Sequence, residues 1–264
     1  MVRHRPALRR ARAAVAVWLL SVSVVGAQQP TNFVSCPIVR DTASVPCWLA
    51  EYDGELYFLT LQTDVSAPVT PPWLGHRVLV EGTAAPERAR ICGGVVLEPV
   101  VLSVLPELDA ACNTAVLPAE DRYNLTFEPP RPPGPSAGRL AFAGAAAPPL
   151  PAEPPRAFTL RYDFDGLIVF RHAGELTSIL DAAHARKARS VAITGHRGSV
   201  LLSNGTTLVE KPSVARRRAE QVAELLRGAG LVDVEYRVRW QDEAGAADGD
   251  DDAALRRVTV ELDP

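Results

Sequence analysis

Aromatic residues and methionine are scarce in this chain of 264 residues. Aromatics make up 6% of the sequence, and there is one methionine. Channels that bind single-stranded nucleic acid stack the bases on aromatic side chains, so this composition argues against such a channel. Apolar residues still reach 47%, which is enough for one large or two small packed domains.

Acidic residues are absent from the first 27 residues, which carry five arginines in their head. The uncharged run Ala13–Val25 follows, and Val25-Gly26-Ala27 supplies small residues before Gln28. This run is shorter than the roughly 20 residues that a membrane span needs. The pattern is typical of a secretory signal peptide cleaved after Ala27. It predicts export to the periplasm, with membrane attachment only if the signal stays uncleaved.

Basic residues are in deficit in the predicted mature chain. Five of the 28 basic residues leave with the signal, so 23 remain against 31 acidic residues, a net charge of −8. A chain with this balance has no general attraction for phosphate backbones. We therefore do not expect a nucleic-acid partner.

Cysteine is absent from the second half of the chain. The four cysteines are Cys36, Cys47, Cys92 and Cys112. An even number in a secreted chain indicates two disulfides, for which three pairings exist. We expect Cys36–Cys47 and Cys92–Cys112, because these close local loops. Zinc is the alternative, but there is no Cys-x-x-Cys pair and only His76 lies nearby, so we expect no metal.

Proline clusters in one stretch, where residues 118–155 hold 11 of the 23 prolines. Each proline removes a backbone donor, so this stretch cannot form a helix and is expected to be an extended spacer. We predict a linker at 118–156 between two domains, at 30–117 and 157–264.

The first domain is predicted to be all-β. Asp53-Gly54 is a two-residue hairpin signal between β-rich runs, and other short strands follow closely. Such spacing favours a small barrel or sandwich. The stretch LGHRVLVEGTA, residues 74–84, resembles the central strand of oligonucleotide/oligosaccharide-binding-type barrels.

The second domain alternates strands and helices. Alternating apolar residues predict strands at 157–164, 190–195, 233–240 and 256–262, and helical spacing predicts helices at 172–185 and after Pro212. Asn204-Gly205 predicts an inserted β-hairpin before the second helix. The order predicts an α/β sandwich with a mixed sheet, and the whole chain is α+β.

Polar residues cluster at two points of this domain. His196, Arg197 and Ser199 follow a predicted strand, and Arg218 lies near the start of the second helix. Helical geometry places Arg218 at the rim of the buried face, where its guanidinium either binds an anionic ligand or pairs with the chain's own carboxylates. Ser199 precedes a strand-like Val-Leu-Leu run and lacks the elbow of serine hydrolases, so we expect no catalytic residue and no cofactor.

An acidic segment at 242–252 contains Asp248, Asp250 and Asp252. These aspartates alternate as calcium ligands do, but no bidentate Glu follows them. The segment is predicted to be a solvated loop.

Three stretches resemble the OmpA-like, peptidoglycan-associating family: ITGH at 193–196, RAEQVAELLRGAG at 218–230 and RRVTVEL at 256–262. The resemblance implies a non-catalytic domain that binds the peptide stem of peptidoglycan. It implies that Arg218 and an Asp just after the Gly-His pair bind the diaminopimelate residue. That Asp falls at Gly198, while Arg197 replaces the usual Thr and Leu255 the usual Asn.

Three functions follow, in order of expectation. The first is a Gram-negative periplasmic protein, associated with the outer membrane or cell wall, whose OmpA-like domain contacts peptidoglycan weakly through Arg218, Arg197, His196 and Ser199. The second is an OmpA-like fold that binds another envelope protein instead of peptidoglycan. The third is a hydrolase.

Overall fold

The computed structural model describes residues 30–62, 71–113, 116–120, 154–167 and 172–264. The predicted signal peptide and most of the predicted linker lie outside these residues. The described chain is α+β, as expected, and its strands fall into two main sheets and one hairpin.

The first sheet has seven strands and forms a half-barrel. The strands are β1 (Phe33–Ser35), β2 (Pro37–Thr42), β3 (Cys47–Tyr52), β4 (Glu55–Leu61), β5 (His76–Ala84), β6 (Val95–Leu108) and β7 (Val116–Glu120). Their order is β1-β5-β6-β4-β3-β2-β7. Strand β7 ends at Glu120, beyond the boundary predicted at 117.

The predicted hairpin at Asp53-Gly54 joins β3 to β4. Asp53 and Gly54 have φ angles of 52° and 74°, the left-handed values that a type I′ turn needs at both central residues. Apolar side chains from several strands pack behind this hairpin, with Phe33, Leu59 and Val80 among those buried. The all-β prediction for this part of the chain is confirmed.

The second sheet has four strands in the order β12-β9-β13-β8. The elements are β8 (Ala157–Arg161), α1 (Ala173–Arg186), β9 (Ser190–Gly195), α2 (Val214–Gly228), β12 (Glu235–Trp240) and β13 (Arg257–Asp263), with the predicted hairpin formed by β10 (Ser199–Leu201) and β11 (Thr207–Val209). Strand β9 pairs parallel with β12 and antiparallel with β13, so the sheet is mixed, as predicted.

Helix α2 packs on this sheet through the predicted apolar stripe. The stripe residues Ala215, Ala219, Val222, Ala223 and Leu226 are all at most 1% exposed. Gly195 permits the close approach, because a Cβ at this position would lie 2.0 Å from the carbonyl oxygen of Ala215. The helix start is therefore pressed against the carboxyl end of β9, which is where the candidate site lies.

Two disulfides are present, but the expected pairing is wrong. Cys36 bonds Cys112 and Cys47 bonds Cys92, with Cα–Cα distances of 5.0 and 6.5 Å. Short loops were expected because the sequence shows how many residues separate two cysteines but not how far apart they lie in space. The fold brings cysteines 76 and 45 residues apart into contact, so each bond closes a long loop.

We predict that peptides from the unreduced protein contain the Cys36–Cys112 and Cys47–Cys92 links. Arg40 and Glu107 provide cleavage points that separate the cysteines, so trypsin and a Glu-specific protease followed by mass spectrometry can resolve them. A peptide linking Cys36 to Cys47 would contradict the structure.

Removing Cys47–Cys92 by double alanine substitution should lower the free energy of unfolding by about 2–4 kcal/mol.

The half-barrel is joined to the C-terminal part of the chain by a buried apolar contact. Leu79 from β5 packs with Phe164 and Val200, and the partly buried side chains around them are Val34, Leu105, Leu202 and Leu208. The β10–β11 hairpin therefore packs directly against the half-barrel. Asn32 strengthens this contact, since its side-chain amide donates to the carbonyls of Leu201 and Gly249 at 3.2 and 2.9 Å.

A buried ion pair also crosses between the two units. The Arg256 guanidinium, fully buried before β13, donates to both carboxylate oxygens of Glu81 on β5 at 3.1 and 2.5 Å. Its Nε also donates to the carbonyl of Tyr162. Burial raises the pKa of Glu81, and the hydrogen bonds from Arg256 offset part of this rise.

Arg256→Ala should lower the free energy of unfolding by about 3–5 kcal/mol, because Glu81 would keep a buried charge without its partner. The matched control is Glu220→Ala, which breaks the exposed Arg216–Glu220 pair and should change stability by less than about 1 kcal/mol. Urea unfolding of both variants measures the difference. Equal losses would contradict a stabilising contact between the units.

Candidate functional site

Arg218 lies in the second turn of α2, and its side chain is 0% exposed. The sequence placed it at the rim of the buried helix face, but its side chain lies fully inside the protein. The ring of Tyr162 lies 4.7 Å from the guanidinium carbon, a cation–π contact. The most specific residue of the predicted ligand site is therefore inside the protein.

All five guanidinium N–H groups of Arg218 are used within the chain. Nε donates to the carbonyl of Gly166 at 2.8 Å, Nη1 to that of His196 at 3.2 Å, and Nη2 to that of Asp163 at 2.9 Å. The remaining two contact Glu210, with Nη2–Oε1 at 2.6 Å and Nη1–Oε2 at 3.0 Å. Arginine has five N–H donors, so none remains for a ligand.

Glu210 completes the site from the segment that follows β11. Its side chain is 0% exposed, and its two oxygens also accept the backbone N–H groups of Asp165 and Gly198, each at 2.7 Å. The sequence left open whether Arg218 pairs with an external anion or with a carboxylate of the chain. The structure shows the second arrangement, and Glu210 is the partner that sequence reasoning did not identify.

Gly198 has no space for the acid that the family resemblance places there. A Cβ at this position would lie 2.9 Å from both the Cγ of Arg256 and the Cβ of Leu255. Atoms this close to a backbone cannot swing away as the end of a long side chain can. A side chain at position 198 would therefore require the Arg256 stem, which reaches Glu81, and Leu255 to move.

Arg197 follows β9 and lies beside the buried pair. Its Nε donates to the carbonyl of Asp242 at 2.5 Å, and its Nη1 donates to the backbone carbonyl of Glu210. The Arg197 side chain thus ties the segment after β12 to the one after β11. Its predicted role in ligand binding stays a prediction.

His196 and Ser199 are close in sequence but bond different groups. The Nδ1 of His196 lies 3.0 Å from Oε1 of Gln241, while Oγ of Ser199 donates to the carbonyl of Gly245 at 2.5 Å. Burial and the neighbouring Arg257 lower the pKa of the His196 imidazole, which favours its neutral form. The His196 carbonyl and the Arg197 side chain thus contact the buried pair, whereas the Ser199 hydroxyl bonds elsewhere.

The acidic segment is not uniformly solvated as predicted. Asp252 is 3% exposed, and its carboxylate accepts the backbone N–H groups of Leu201, Gly249 and Asp248 at 2.9–3.1 Å. This side chain organises the loop and attaches it to β10.

Among the described residues, no helix is both long and apolar enough to cross a membrane.

No protein-family model matches the chain, and no curated protein matches it. Among the solved structures that match is a MotB-like protein from Desulfovibrio vulgaris. It is 17% identical, and the match covers 40% of this chain and 74% of that one with a TM-score of 0.30. The family of the chain is therefore not shown by these comparisons.

Arg218→Ala should lower the free energy of unfolding by about 3–5 kcal/mol, because Glu210 would keep a buried and unpaired charge. Arg217→Ala is the matched control, since Arg217 immediately precedes Arg218 on the same helix and is exposed. Its change should stay within about 0.5 kcal/mol. Chemical unfolding of both variants checks this, and similar stabilities would show that the buried pair contributes little.

Proposed function

We propose that this protein is a non-catalytic component of a bacterial cell envelope, and that its C-terminal part is an OmpA-like domain used to bind another envelope protein. The observation that carries this proposal is that the Arg218 guanidinium already bonds groups of the chain itself. Its five N–H groups are all bonded inside the chain, two of them to Glu210. A wall ligand has no free donor at this residue.

The envelope location is supported by two independent features. The disulfides Cys36–Cys112 and Cys47–Cys92 fit a chain exported to an oxidising compartment. The N-terminal 27 residues have the composition of a secretory signal. The proposed location is the periplasm.

The OmpA-like assignment is supported by where the three resembling stretches lie. ITGH covers the end of β9, RAEQVAELLRGAG covers most of α2, and RRVTVEL covers β13. These are the elements that build the sheet and the buried site.

The non-catalytic assignment is supported by the bonding of Ser199 and His196, the two residues that a serine hydrolase at this site would use. Ser199 donates to Gly245, and His196 contacts Gln241, so the hydroxyl and the imidazole are engaged with separate partners. A nucleophile needs its base within hydrogen-bond reach.

The second candidate is weak association with peptidoglycan. It is favoured by the gathering of His196, Arg197 and Arg218 at one end of β9, where the His196 carbonyl accepts from Arg218. Binding there through Arg218 would require Glu210 to leave. This requirement is the reason for placing the candidate second.

We expect the full-length protein to stay in the supernatant when isolated peptidoglycan is sedimented, and the peptidoglycan to be unchanged after incubation. If the protein instead sediments with the peptidoglycan and free diaminopimelate releases it, the first proposal is overturned in favour of the second. Release of soluble wall fragments would instead indicate a hydrolase. A known wall-binding protein in the same assay controls for the quality of the peptidoglycan.

A further inference from the structure

We propose that Arg218 and two backbone N–H groups form a carboxylate-binding site, and that Glu210 is the built-in ligand of this site. The inference does not rest on the proposed function, because it concerns only what the donors around Glu210 bind.

The donors around Glu210 match the geometry of a carboxylate. Each oxygen accepts one N–H from the Arg218 fork and one from the backbone, with Asp165 donating to Oε1 and Gly198 to Oε2. Four donors thus converge on two oxygens in a water-excluded space. A planar, bidentate anion satisfies this arrangement, whereas a spherical anion cannot accept both prongs of the fork equally well.

The site is built independently of its occupant. The other three N–H groups of Arg218 bond carbonyls at Gly166, His196 and Asp163, and the ring of Tyr162 packs on the guanidinium. None of these contacts involves Glu210, so we expect them to orient the fork when the carboxylate is removed. Preorganised donors of this kind keep their affinity for the missing group.

The other buried arginine–glutamate pair among the described residues, Arg256–Glu81, lacks this arrangement. Among the described residues, the side chain that donates to the carboxylate of Glu81 is that of Arg256 alone. No backbone N–H of the described ranges joins it. The two backbone donors at Glu210 are therefore the feature that distinguishes a binding site from an ordinary ion pair.

Glu210 belongs to a different segment of the chain from Arg218. Glu210 directly follows β11, and the hairpin packs against the half-barrel through Leu208 and Val200 near Leu79. Lys211, the next residue, contacts Glu107 on β6 and donates its backbone N–H to Asp165. The contact between the two units thus keeps Glu210 in the site, which closes Arg218 to carboxylates from outside.

The test is to replace the occupant with a free carboxylate in the full-length protein. Glu210→Ala removes one methylene and the carboxylate, which acetate restores in size and charge. Glu210→Gln is the matched control, because its amide fills the same space. Thermal unfolding at neutral pH is measured in about 0.2 M sodium acetate and in about 0.2 M sodium chloride, with the wild type correcting for the general stabilisation by acetate.

We expect acetate to raise the Tm of Glu210→Ala by about 2–4 °C more than it raises that of the wild type. Glu210→Gln should show no such excess. Propionate should be less effective than acetate in Glu210→Ala and more effective in Glu210→Gly, because the vacated space differs by one carbon. An equal Tm in both salts, or an equal excess in Glu210→Gln, would overturn the proposal.

If Glu210→Ala does not fold in chloride, the yield of refolded protein replaces the Tm. Acetate should then raise the yield several-fold above that in chloride. Equal yields in the two salts, including no refolding in either, would also overturn the proposal.

Discussion

The buried contact between Arg218 and Glu210 determines how the C-terminal half of the molecule is put together. A guanidinium removed from water must have every N–H group bonded, and here it reaches three carbonyls and one carboxylate. Those acceptors belong to the segment after β8, the end of β9 and the segment after β11. One charged side chain on α2 thus sets the positions of three connecting segments.

A second arginine links this arrangement to the half-barrel. Arg256 crosses the space next to Gly198 and forms a buried pair with Glu81 on β5. A Cβ at Gly198 would lie 2.9 Å from the Cγ of this arginine. Arg256 therefore joins the two units and leaves little room for a side chain at position 198.

Periodicity made much of the architecture predictable from the sequence. The apolar stripe of α2, the hairpin turns at Asp53-Gly54 and Asn204-Gly205, and the mixed sheet all follow from local patterns of spacing and turn residues. These signals are local, since each depends on residues a few positions apart. Sequence order did indicate that His196, Arg197 and Arg218 are neighbours, since His196 and Arg197 both contact the Arg218–Glu210 pair. The burial of the Arg218 side chain could not be predicted from the sequence.

Local patterns in the residue order were sufficient to predict the strands, the helices, the turns and an even set of cysteines. Which cysteines pair, which carboxylate meets each arginine, and that Glu210 occupies the space beside Arg218 became evident from the packed fold. The reason is that these partners are far apart in sequence or lie on different elements, as with Cys36 and Cys112, 76 residues apart. Charge pairing depends on distance and burial in space, and neither can be read from residue order before the sheets are packed together.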